Sequence, residues 1–116
     1  KYTNQFGNVP VIRLAELYLI RAECNQRLGS NLGATPQDDI NAIRQRSGAQ
    51  AIGAPSLNDI LYERDRELAF EGFAIYDIKR NQKSIGGLEF SSPKLVMPIP
   101  QSEMDSNKLM EQNEGY

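Results

Sequence analysis

The chain is predicted to be all-α: a helix hairpin, then a further long helix, then an extended and irregular C-terminal wrap. Three observations carry this prediction. Residues 11–28 and 57–71 place apolar side chains at helical spacing. Thr35-Pro36 and Ser56 supply helix starts, and Gly29 and Gly48 supply helix stops. The last third carries Gly86, Gly87, Pro93, Pro98 and Pro100, which suit neither a helix interior nor a central strand.

Lys1 to Pro10 reads as an extended lead-in, with turn chemistry at Phe6-Gly7-Asn8 and Pro10 steering Val9 away from helix. Val11 to Leu28 is the strongest helical pattern. Its apolar side chains cover more than half the circumference, which predicts a helix packed on two sides. Cys24 falls within this pattern and is expected to be a small buried side chain. Arg21 and Asn25 interrupt the apolar side, so Arg21 is expected to be held by a carboxylate or by carbonyls, because an unpartnered charge there is costly. Thr35 caps the second helix, Asp38 and Asp39 fill its first turn, Arg44 and Arg46 lie near its last, and Gly48 ends it. The pair spans about 37 residues, close to the ~34-residue tetratricopeptide unit, so residues 10–48 read as a tetratricopeptide-like hairpin. A single such unit is expected to have neighbours, and without them to expose an apolar patch or self-associate.

Residues 56–80 read as the long helix and a following turn. Ser56 is its N-cap and Asp59 occupies the third helical position. Leu57, Ile60, Leu61 and Leu68 share one side, with Arg64, Glu67 and Glu71 on or beside it, so this helix is expected to lie against other protein through paired charges as well as leucines. Arg64 with Glu67, and Glu63 with Arg66, have the spacing of intrahelical pairs. After Gly72, residues 73–80 read as a short second helix or a packed turn, with Phe73 and Tyr76 expected in the core. Residues 81–116 read as loop and wrap: Asn81 to Pro93 is loop, Lys94 to Pro100 is extended and laid on the surface, Ser102 to Asn107 forms a turn or one helical turn, and the tail ends at Tyr116.

The bulk numbers narrow the function classes. At 116 residues this is one domain or part of one, and a net charge of −2 offers no basic field for nucleic acid. No apolar run is long enough to span a membrane. The chain starts at Lys1 without a signal peptide or lipid-attachment cysteine, so it is expected to be a processed product or a piece of a longer polypeptide. One cysteine forbids an internal disulfide, and the absence of histidine removes the commonest general base and zinc ligand.

Six stretches, in order, carry a resemblance: PVIRLAELYLIRAE (Pro10–Glu23), INAIRQRSG (Ile40–Gly48), ILYERDRELAFEG (Ile60–Gly72), YDIKR (Tyr76–Arg80), MPIPQSEMDSN (Met97–Asn107) and QNEGY (Gln112–Tyr116). In these the chain resembles the C-terminal part of SusD/RagB-type outer-membrane nutrient-binding proteins of the Bacteroidetes, over essentially its whole length, 1–116. It departs from the family where Phe73-Ala74-Ile75 replaces a histidine, an arginine and an aromatic, and where Glu114 replaces a proline. The first departure bears on local packing after Gly72, not on the fold. The resemblance implies a non-catalytic, surface-exposed lipoprotein of the outer membrane. Its partners would be a SusC-like TonB-dependent transporter and an oligosaccharide or other nutrient, with this segment mainly scaffold. It also implies that the sugar-contacting aromatics come mainly from segments upstream of the part seen here. A free-standing tetratricopeptide-like adaptor for peptides is the alternative reading of the helices.

Sugar binding asks for aromatic faces, and the chain has no tryptophan, five tyrosines and four phenylalanines. Tyr18 and Phe70 sit in helical patterns and are expected in the core. Tyr2, Phe6, Phe90 and Tyr116 lie in extended or loop stretches and are the candidates for exposed platforms, but no ligand-binding residue is assigned from sequence. Glu63, Asp65, Glu67 and Glu71 are interleaved with Arg64 and Arg66, which hold carboxylates ionised, whereas a glycosidase acid needs a raised pKa. Asp38-Asp39 is a helix start rather than a cation-binding loop. No catalytic residue, metal site or cofactor is predicted.

Overall fold

A computed structural model of the chain describes Gly7 and residues 11–116. The lead-in expected over Lys1 to Pro10, with its turn, lies outside the described residues apart from Gly7. Among the described residues the chain is helical, with α1 Leu14–Leu28, α2 Pro36–Arg46, α3 Leu57–Glu67, α4 Ala74–Arg80 and α5 Gln101–Ser106, plus a 3-10 turn at Pro93–Leu95. The extended segments pair only as an isolated bridge between Ile85 and Leu88. Two compact units divide between Ala69 and Phe70.

The helix ends in the first unit follow the predicted chemistry. Thr35 Oγ1 accepts from Asp38 N at 3.1 Å while the Asp38 carboxylate accepts from Thr35 N, closing a capping box in front of α2. Ser56 and Asp59 repeat the arrangement in front of α3, with Ser56 N donating to Asp59 Oδ2 at 2.8 Å. Aspartate here takes the place of the usual Glu or Gln of such a box. Gly48, at φ 71, lets α2 close on a reversed turn in which Ala49 N donates to Arg44 O at 2.8 Å and Gly48 N to Gln45 O at 3.1 Å.

Packing gives the three long helices their directions. Ala15 and Leu19 of α1 meet Ile43 of α2, and Ala22 of α1, Ile40 of α2 and Ile60 of α3 form a second cluster backed by Ile52. The ends agree: Arg13, just before α1, reaches Glu67 at the end of α3, and Arg46 at the end of α2 reaches the same carboxylate. Thus α2 and α3 run parallel to each other and antiparallel to α1. The chain must return the full length of α2 between them, and residues 47–56 do so.

Four sequence expectations change here. The long helix stops at Glu67 rather than running to Gly72; Leu68 takes the last buried apolar place, Phe70 adopts φ 65, and residues 68–72 turn. Phe70 therefore lies outside the helical register and is 97% exposed rather than in the core. The wide apolar stripe of α1 is buried on one side, through Ala15, Leu19 and Ala22, while Leu14, Leu17, Ile20 and Leu28 are exposed. Cys24 shares that exposed side and is not buried.

In the second unit, α4 turns Asp77 inward, where Arg80 donates to it at 2.8 Å, and leaves Tyr76 exposed rather than in the core as expected. The wrap is held by side chains bonding to main chain. Gln112 donates to Ile99 O at 3.0 Å and accepts from Ile99 N at 2.8 Å, as a neighbouring strand would. Asn113 donates to Met97 O at 2.7 Å.

Replacing Ser56 by alanine removes one cap and is expected to cost about 1 kcal/mol. Urea unfolding should show a lower midpoint with an unchanged slope.

Candidate functional site

The described chemistry of the first unit is concentrated where α1, α2 and α3 meet. Asp39 is only 2% exposed, and Arg21 grips it with two parallel bonds, Nε to Oδ2 at 2.9 Å and Nη2 to Oδ1 at 2.6 Å. The fork geometry matches a planar guanidinium to a planar carboxylate. This meets the expectation for Arg21, and the bond to Asp39 holds the guanidinium protonated above its usual range. Tyr18 lies half-buried with its ring 5.6 Å from the same guanidinium and packs on the first apolar cluster.

Asn25 occupies the next inward position. Its Nδ2 donates to Leu32 O at 3.1 Å and Ala34 O at 2.9 Å, and its Oδ1 accepts from Ser30 Oγ at 2.8 Å and Leu32 N at 3.1 Å. All four of its hydrogen-bonding positions are used to shape the α1–α2 loop. Gly33, at φ 78, lies so close that an added Cβ would meet Arg21 Nη1 at 2.9 Å. The loop, the amide and the fork therefore form one fitted unit.

Glu63 and Glu67 of α3 also find arginines outside that helix. Glu63, buried, accepts from Arg44 Nη1 at 2.6 Å. Glu67 accepts from Arg13 Nη1 at 2.8 Å and from Arg46 Nη2 at 2.6 Å. Arg66 lies over the Tyr62 ring at 5.5 Å. The helix lies against others through paired charges, Glu63 with Arg44 and Glu67 with Arg13 and Arg46, while Arg66, the intrahelical partner expected for Glu63, lies over Tyr62. Burial pushes the Glu67 carboxyl up, but the bonds from Arg46 and Arg13 outweigh it and hold the pKa below the ordinary 4.5. Asp59 is lowered by the hydroxyl and backbone N–H of Ser56. These directions are opposite to the raised pKa a general acid requires.

A set of polar side chains that sequence reading missed fixes the return segment. Gln37, Asn41 and Arg44 lie along one face of α2. Gln37 Oε1 accepts from Ala54 N at 3.0 Å, Asn41 bonds both Ile52 N and Ile52 O, and Arg44 Nε donates to Gln50 O at 2.6 Å. The signal available in sequence was their spacing of four and three residues on one helix face.

Two shallow hollows flank this arrangement. One, of about 470 Å³, lies among Gln26, Thr35, Pro36, Gln37, Ala54, Pro55 and Ser56; the other, of about 490 Å³, lies along Asp38, Asn41, Ala42, Gln45, Ala49 and Ala51. Neither presents an aromatic face. Of the candidate platforms, Tyr2 and Phe6 lie outside the described residues, and Phe90 is half-buried. The Tyr116 ring is exposed but its hydroxyl donates to Val96 O at 2.8 Å, securing the tail. Among the described residues no group of three His, Cys, Asp or Glu is placed to hold a metal, and no helix is long and apolar enough to cross a membrane.

Comparison with known proteins places the chain. The model of the SusD family matches residues 1–92. The starch-binding protein SusD of Bacteroides thetaiotaomicron is 30% identical over 94% of this chain and 22% of its own length. A crystal structure described as a putative sugar binding protein from Bacteroides vulgatus superposes with a TM-score of 0.76 at 28% identity, over 97% of this chain and 31% of that one. A SusD-like protein from Bacteroides fragilis gives 0.58 at 25% identity, over 88% of this chain and 25% of that one. The chain thus spans less than a third of the length of these relatives.

Glu67→Gln tests the charge network. Because its folded pKa is lowered, Glu67 contributes stability that is present above 4.5 and is lost as pH falls through the folded value. The variant should be less stable at pH 7 and should lose less stability on acidification below 4.5. Equal acid dependence of the two proteins in urea titrations would contradict the assignment. The family model covers most of the chain and the relatives match nearly all of it, so the chain belongs to the SusD family.

Proposed function

We propose that this chain is the C-terminal portion of a larger SusD-type glycan-binding protein, in which it acts mainly as scaffold. The carrying observation is how its polar groups are used. Arg21, Asp39, Asn25, Asn41, Arg44 and Glu67 all bond to other parts of the same unit. Charged and amide groups committed in this way stiffen a structure and are not left to bracket sugar hydroxyls. The similarity to a starch-binding protein and to a sugar-binding structure supports a glycan as ligand, met by residues elsewhere in the longer protein.

The same reading makes the protein non-catalytic. Glu63 and Glu67 of α3 are bound by arginines, and Glu67 is held ionised, the wrong state for protonating a glycosidic oxygen. As in the family resemblance, the whole protein would be lipid-anchored on the outer surface of the outer membrane and deliver its ligand to a SusC-type TonB-dependent transporter.

Calorimetric titration of the longer protein with a panel of oligosaccharides, α-glucans first, is the direct test. Binding is expected, and Phe90→Ala and Tyr116→Ala should leave its Kd within about twofold, below the ~1.4 kcal/mol of a tenfold change. Absence of binding across the panel, or loss of binding in either variant, would overturn this assignment. Recovery of a TonB-dependent transporter with the protein from detergent-solubilised membranes is the expected companion result.

A further inference from the structure

The two compact units are ordered by different means. Among the described residues every buried apolar side chain belongs to the first unit, and Leu68 is the last of them along the chain. From residue 70 onward Asp77 alone is buried. Fixing a backbone costs conformational entropy residue by residue, so a segment without an apolar core must be held by other bonds. Residues 112–116 supply them to residues 93–99. Gln112 spans Ile99, accepting from its N at 2.8 Å and donating to its O at 3.0 Å. Asn113 Nδ2 donates to Met97 O at 2.7 Å, and the Tyr116 hydroxyl to Val96 O at 2.8 Å. Gly115, at φ 97, lies where an added Cβ would meet Pro93 Cβ at 3.2 Å. Each of these bonds is to main chain, so the Val96 and Met97 side chains are left outward, 41% and 85% exposed. Pro98 and Pro100 have no N–H, so no neighbouring strand can pair this stretch in full, whereas side chains can reach the groups that remain.

We propose that residues 93–99 are a binding site for a peptide of the form Gln-Asn-x-Gly-Tyr, and that residues 112–116 are its ligand, supplied within the chain as a strap that orders this part of the second unit. Gln112 is the residue on which the contact turns, because a primary amide offers both a donor and an acceptor and so meets the N–H and C=O of one residue together. Glu114 is exposed and stands at the position where residue type is free. The inference is independent of the glycan reading.

The Ile99 amide donates to Gln112 and reports the strap directly. Its hydrogen exchange, resolved to the single residue by fragmentation mass spectrometry, is compared between the polypeptide encoded by the whole reading frame and its Gln112→Ala variant. At least tenfold faster exchange at Ile99 is expected in the variant, with exchange in α1, α2 and α3 unchanged. In a second variant lacking residues 112–116, the peptide acetyl-Gln-Asn-Glu-Gly-Tyr at millimolar concentration should restore slow exchange at Ile99, and a scrambled peptide of the same composition should not. Restoration also shows that the shortened protein had not misfolded. Equal exchange at Ile99 with and without the Gln112 side chain would mean that other parts of the protein hold this stretch, and would overturn the proposal. Failure of the peptide to restore slow exchange, or equal restoration by the scrambled one, would overturn it too.

Discussion

A carboxylate taken out of water must find charged or hydrogen-bonding partners, and Asp39, 2% exposed, finds both in Arg21. The first unit depends on this pair. Asp39 sits in the first turn of α2 and Arg21 in the middle of α1, so their fork sets the rotation of one helix against the other. Ile40 and Ala22, the next residue on each helix, enter the apolar cluster beneath. The bonds of Asn25 fix the loop above, and the lack of a side chain at Gly33 leaves room for the guanidinium. Leucines alone would hold these helices together, but they would not specify one register so narrowly.

The third helix is governed by the same kind of constraint at the other end. Glu67 gathers Arg13 and Arg46, the beginning of α1 and the end of α2, onto the end of α3. For α3 to run parallel to α2, the connecting segment must climb back alongside it. The side chains of Arg44, Asn41 and Gln37 receive that segment in sequence, at residues 50, 52 and 54. A stretch of small residues is thereby ordered through its backbone, with Ile52 packed on the second apolar cluster and Pro55 buried.

Much of this was legible in the sequence. The caps at Thr35 and Ser56, the stop at Gly48 and the need of Arg21 for a partner follow from local chemistry, which a short window contains. Phe70, Tyr76 and Cys24 were misplaced for a different reason. Periodicity says which residues share a side of a helix; it does not say where the helix ends or which of two apolar sides the rest of this chain covers. α3 stopped before Phe70, and α1 offered two apolar sides of which one is buried here. The polar staples of α2 were missed because each joins residues far apart in sequence through bonds to main chain, which no residue type announces. No ligand platform was assigned from sequence, and neither hollow among the described residues presents an aromatic face.

In the first unit, Arg21, Asp39, Asn25, Asn41, Arg44 and Glu67 are each bonded within the unit. The central claim is that the Arg21–Asp39 fork couples α1 to α2. A double-mutant cycle with Arg21→Met, Asp39→Leu and both together, read by urea unfolding, measures that coupling alone. A favourable coupling, clearly outside the error of the measurement, is predicted. Additive single and double variants, with a coupling near zero, would contradict it.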